Sequence, residues 1–114
     1  MEKFRLFWVN TASARPGKAG EAAKWWRETG QAFFESLPGV KSLQVFAVQF
    51  NLGRRPNQNY EFWFEIDDYA VMDKWDEDIM ANPEKHGPPN RKFRELFEWG
   101  PSRFMGDWPE SLID

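Results

Sequence analysis

At 114 residues, 41% hydrophobic and 29% charged, the chain can bury one hydrophobic core and is too short for two, so a single domain over 1–114 is expected. A formal net charge of −3, with acids and bases interspersed, opposes binding to a phosphate backbone, and the lack of cysteine excludes disulfides, thiolate metal sites and cysteine nucleophiles. No apolar run approaches the roughly 18 residues that span a bilayer, and MEKFRLFWVN lacks a secretory apolar region, so the expectation is a cytoplasmic protein with neither nucleic acid nor membrane as partner.

The segment FRLFWVN (4–10) carries Phe4, Leu6 and Trp8 on one face and Phe7 and Val9 on the other, as a central strand covered on both sides would. After turn residues 13–17, apolar side chains at Ala19, Ala22, Ala23, Trp26, Gly30, Phe33, Phe34 and Leu37 follow helical spacing, which predicts a long amphipathic helix stopping before Pro38-Gly39. VKSLQVFAVQF (40–50) and YEFWFEI (60–66) read as the two strands of a hairpin, with Arg54 and Arg55 solvated at its tip. Asp67 or Asp68 is placed to cap a further helix with a buried stripe of Tyr69, Met72, Trp75 or Asp76, and Ile79, ending near Asn82-Pro83. A short third helix is predicted from about Pro89, turning Phe93, Leu96 and Phe97 inward, with Gly100-Pro101 as its stop and a last strand over 103–107.

The order β-α-β-β-α-(α)-β is that of an α+β, ferredoxin-like split βαβ fold with an antiparallel sheet. Helices on one face of such a sheet leave the other in need of cover, and the two-sided apolarity of the first strand predicts that a second copy supplies it.

Several side chains are candidates for chemistry. Asn10 shares the parity of Leu6 and Trp8, so its amide could hydrogen-bond a substrate or an oxygen intermediate in an apolar pocket; the alternative is an Asx turn with Thr11. His86 is the only imidazole, hence the one side chain suited to moving protons near neutrality, although the Pro and Gly around it also fit an exposed loop. Glu61, Trp63 and Glu65 share one face of the third strand, where a buried carboxylate could act as acid or base, or else pair with Arg5 or face solvent. Trp8, Trp25, Trp26, Trp63 and Trp75 could line a ligand pocket with Phe33 and Phe34, and Gly30 on the helical stripe marks a gap or close approach; plain core packing is the competing reading. One His and no Cys give no basis for a metal site.

The element order, together with VNTASARPGKAGE (9–21) leading into the first helix and SLPGVKSLQVF (36–46) leading into the second strand, resembles the dimeric α+β barrel superfamily. That superfamily includes antibiotic-biosynthesis monooxygenases, heme-degrading monooxygenases, stress-responsive barrel proteins and certain polyketide cyclases. The resemblance implies a homodimer with a pocket between sheet and helices. It also implies a small hydrophobic or aromatic ligand and a cofactor-free monooxygenase or cyclase reaction. The heme-degrading branch, in which heme would be the cofactor, uses an Asn after the first strand, a Trp on the second helix and a ligating His further on; Asn10 matches the first, Met72 aligns with the second with Trp75 close by, and His86 is the only candidate for the third. A non-catalytic ligand-binding or structural dimer is the remaining alternative.

Overall fold

The computed structural model describes residues 4–49 and 59–110. Along the chain lie β1 (Leu6–Ala14), α1 (Ala19–Trp25), a π-helical turn (Trp26–Gly30), α2 (Gln31–Glu35), β2 (Val40–Ala47), β3 (Asn59–Ile66), α3 (Val71–Ala81), α4 (Pro83–Leu96) and β4 (Phe97–Gly106). The strands form one antiparallel sheet in the order β2-β3-β1-β4, so the fold is α+β and ferredoxin-like, with β1 and β3 central.

Strand alternation divides the side chains between two faces. Leu6, Leu43, Phe62, Phe64 and Ile66 are buried under Ala22, Phe34, Leu37, Val71, Phe93 and Leu96 of the helices and their connections, forming the core. Each fully buried Phe or Leu contributes about 1.5–3 kcal/mol relative to exposure, so this layer holds the helices on the sheet. The opposite face carries Phe7, Val9, Trp63, Glu61 and Glu65, with the Trp63 ring 5.4 Å from Phe7 and 6.0 Å from Phe46.

Several elements depart from the sequence-based expectations. β1 runs on to Ala14, so Asn10 lies within the strand, opposite Phe62, rather than in an Asx turn; a bulge against β4 falls between Asn10 and Ala12. The reversal is confined to Pro16-Gly17, where Gly17 takes φ +76°. The predicted long helix is continuous in path but is interrupted by the π turn. α3 is rotated: Val71 is buried and Trp75 half-buried, while Tyr69, Met72 and Ile79 are exposed.

α4 begins at Pro83, a residue suited to a first helical position because its missing N–H has no partner to lose there. It continues through Pro88 and Pro89, where Asn90 Nδ2 donates to His86 O at 2.8 Å beside the ladder the prolines interrupt. β4 starts at Phe97 and includes Gly100 and Pro101, read above as stop signals; as an edge strand it tolerates a residue that cannot donate. Arg54 and Arg55 lie outside the described residues.

Candidate functional site

Between the sheet and helices α2, α3 and α4 lies a cavity of about 280 Å³, lined by Trp8 and Asn10 from β1, Phe64 from β3, Phe33 and Phe34 from α2, Trp75 from α3, His86 and Asn90 from α4, and Trp99 from β4. Its walls are rings held by one another. Trp8 packs on Trp75 with centroids 4.8 Å apart and on Phe104 at 6.0 Å, and Trp75 Nε1 donates to Pro38 O at 2.9 Å, fixing the indole. Asn10 reaches the cavity because β1 alternation places it on the same face as Leu6 and Trp8, as its parity predicted.

His86 is not a loop residue. It sits in the first turns of α4, is 3% exposed, and meets the edge of Phe33 at 5.6 Å. Its Nε2 is hydrogen-bonded to Asp78 Oδ2 across the α3–α4 junction. Asp78 also accepts from Lys85 Nζ at 3.0 Å and from Asn82 Nδ2 at 3.0 Å. The His86 hydrogen bond, followed by that of Lys85, holds the Asp78 carboxyl below the usual aspartate range, so at neutral pH it is an ionised acceptor. An acceptor at Nε2 requires that nitrogen to carry the proton, which leaves Nδ1 of a neutral His86 as the ring's acceptor. The arrangement is a carboxylate-oriented imidazole in an aromatic cavity, with the Asn10 and Asn90 amides as additional polar groups.

The other candidates are distributed elsewhere. Glu61 and Glu65 lie on the opposite sheet face and do not meet Asn10 or His86. Glu61 accepts from Trp63 Nε1 at 3.0 Å and stands 3.7 Å from Arg103, whereas Glu65 accepts from Ser42 Oγ at 3.2 Å and stands 3.8 Å from Lys41. Trp63 shares that face, so it lines no wall of the Asn10–His86 cavity. The expected Arg5 pair goes instead to Asp107, with Nε and Nη2 donating at 3.1 and 2.9 Å. Met72 is 45% exposed and lines neither cavity described here, and Trp26 faces a separate cavity beside β2. Gly30 is buried against Trp25 and Trp26, a close approach rather than a gap.

Asp78, Asn90 and Trp99 belong to the site without any sequence signal that marks them for it. Asp78 sits in an acidic run with no mark to distinguish it, and it meets His86 only because the chain reverses at Asn82 between two helices.

The Asn10–His86 cavity does not fit heme: the Nε2 bond to Asp78 leaves Nδ1 as the one ring nitrogen open to a ligand, but a space of about 280 Å³ does not hold a porphyrin ring beside it. Among the described residues no group of three or more His, Cys, Asp or Glu is placed to hold a metal ion.

No protein-family model matches the sequence, and no curated protein matches it. Solved structures do share its fold. A NIPSNAP family protein of unknown function from Agrobacterium tumefaciens superposes with a TM-score of 0.71 at 15% identity, covering 94% of this chain and 91% of its own. An uncharacterized NIPSNAP domain protein from Burkholderia xenovorans gives 0.66 at 17% identity, with 96% and 99% covered. SnoaB, a cofactor-independent oxygenase from Streptomyces nogalater, gives 0.58 at 17% identity, with 90% and 92% covered. The chain therefore shares the α+β, ferredoxin-like fold of these proteins.

Proposed function

We propose that the cavity takes a flat, electron-rich aromatic molecule and that His86 removes a proton from it, as a cofactor-free monooxygenase or cyclase would require. The observation that carries this reading is the convergence of Asn10 and an Asp78-oriented imidazole on one ring-lined cavity. His86 acts as general base, an effect of about 10²–10⁴-fold when the base is well placed. The Asn10 amide donates to the oxygen on which negative charge develops, a contribution of about 10²–10³-fold for a preorganised donor. In the oxygenase form the deprotonated substrate itself reduces dioxygen: an activated ring methylene loses two hydrogens and becomes a carbonyl with one oxygen atom, while the other leaves as water. The fold shared with a cofactor-independent oxygenase supports this form. No helix of the described residues is long and apolar enough to cross a membrane, and a cytoplasmic location is part of the proposal.

The test uses anthrone, a three-ring ketone with an acidic methylene, in an oxygen electrode. The native protein is expected to consume oxygen faster than buffer alone. His86→Ala is expected to lower that excess by about 10²-fold and Asn10→Ala by a similar factor. Saturable anthrone binding without excess oxygen uptake would replace this reading with that of a non-catalytic carrier.

The proposal includes a homodimer. The sheet face bearing Phe7, Trp63, Phe46 and Met105 is free of helices among the described residues, and a second copy packed face to face would cover these rings.

A further inference from the structure

The structure has a second cavity whose ring wall is built from costly local geometry. It measures about 600 Å³, more than twice the volume of the Asn10–His86 cavity, and opens between the π turn and the edge strand β2. Trp26, Tyr60, Phe62 and Phe97 supply aromatic surface, and Arg27 is the one charged residue among those lining it. The two cavities are divided by stacked rings: Trp26 faces this one, Phe34 faces the other, and their centroids are 5.5 Å apart at 20°.

The Trp26 wall has two unusual supports. The helix widens into a π turn, in which Gln31 N–H donates to Trp26 O; such turns are rare and are frequently found at functional sites. Gly30 is helical, yet a Cβ there would come within 2.5 Å of Trp26 Cε3 and 2.9 Å of Trp25 Cζ3, so the position must be bare although Gly costs roughly 1 kcal/mol against Ala in a helix. Gln31 completes the brace, accepting from Trp26 Nε1 at 2.8 Å and donating from Nε2 to Leu43 O at 3.0 Å. With its amide held this way, Gln31 positions the wall and leaves recognition to Arg27. The Arg27 guanidinium makes one long contact, 3.4 Å from Nε to Ala23 O, and among the described residues pairs with no carboxylate. On a chain of net charge −3, a positive group at the edge of a ring-lined cavity complements an anion attached to an apolar body.

We propose that this cavity is a binding site for a flat aromatic carboxylate, its rings against Trp26 and Phe62 and its carboxylate on Arg27. The site is separate from the Asn10–His86 cavity and does not depend on the reaction proposed there.

The test titrates the full chain with 2-naphthoate and with the uncharged 2-naphthalenemethanol by calorimetry. The native protein is expected to bind both saturably. Arg27→Gln is expected to weaken naphthoate by about tenfold or more, as loss of a charge-assisted bond should, and to leave the alcohol within about twofold. The alcohol thereby confirms that the variant is folded. Ala47→Trp, which places an indole in the cavity from an exposed strand position, is expected to abolish both, and His86→Ala to change neither. Absence of saturable naphthoate binding to the native protein would overturn the proposal. So would naphthoate binding that is lost in His86→Ala and retained in Arg27→Gln, because the ligand would then occupy the first cavity.

Discussion

Asp78 binds both a buried imidazole and the exposed end of Lys85, and this dual role determines how the site responds to acid. Its carboxyl is held below the ordinary aspartate value, so the group stabilises the fold in its ionised form. That contribution is complete above the unfolded value of about 3.9 and is lost as pH falls through the lowered folded value. Asp78→Asn cannot ionise, so it lacks the contribution throughout. Urea unfolding is therefore expected to show the native protein more stable than Asp78→Asn at neutral pH, with the gap shrinking once pH drops below about 3.9. A gap that stayed constant down to the acid limit would mean that the His86 contact adds nothing through charge. In activity the same substitution is expected to act through tautomer and orientation: an amide can accept or donate at Nε2, so His86 loses its fixed role as base, and oxygen uptake with anthrone should fall without loss of anthrone binding.

At the level of elements, side-chain packing and chain connection decide where periodic patterns end up. Of the α3 stripe read from Tyr69, Met72, Trp75 or Asp76, and Ile79, Trp75 is the half-buried member and Val71 is buried where Met72 was expected, because Trp75 Nε1 is anchored to Pro38 O and Val71 packs against Gly39. Val71→Ala is accordingly expected to cost about 1–3 kcal/mol in chemical unfolding, whereas Met72→Gln should stay within about 0.5 kcal/mol; equal effects would mean the helix is rotated as the sequence pattern implies. Gly30→Ala is expected to destabilise by about 1–3 kcal/mol through overpacking against Trp26, despite the better helix propensity of Ala. The strands β1, β2 and β3, the first helical path and its stop before Pro38-Gly39 were legible because alternation and helical spacing act within one element. The start of α4 was not, since Pro88 and Pro89 normally end a helix and here stand inside one. The same rule sent His86 to a surface turn. Parity put Asn10 and Trp8 on the pocket side, and spacing put Trp75 there, but the Asp78 partner arises from the packing of α3 on α4, and no periodicity encodes that.

For the molecule as a whole, the sheet has one face under its helices and one that carries Phe46 at 50% exposure and Met105 at 37%, beside half-buried Phe7 and Trp63. Val9 is fully buried on that second face, so its central strand is already shielded from water by the rings and chains around it. The charged groups there are arranged in pairs: Glu61 with Arg103 and Glu65 with Lys41 leave little uncompensated charge to oppose contact between two such faces. Contiguous apolar surface of this kind is what a partner of the same chain would bury, and the two-fold symmetry of such a pair would set each Phe46 near the partner's face. Sedimentation equilibrium at micromolar concentration is expected to give twice the chain mass of 13.5 kDa. Phe46 stands opposite Glu61 across β2 and β3, so Phe46→Glu adds a carboxylate beside an existing one as well as removing a ring, and it should weaken association by about tenfold or more while leaving the far-ultraviolet spectrum unchanged. A native mass of 13.5 kDa that Phe46→Glu does not alter would show that the face is solvent-exposed in the working protein, and would leave the Asn10–His86 cavity, which is built from a single chain, unaffected.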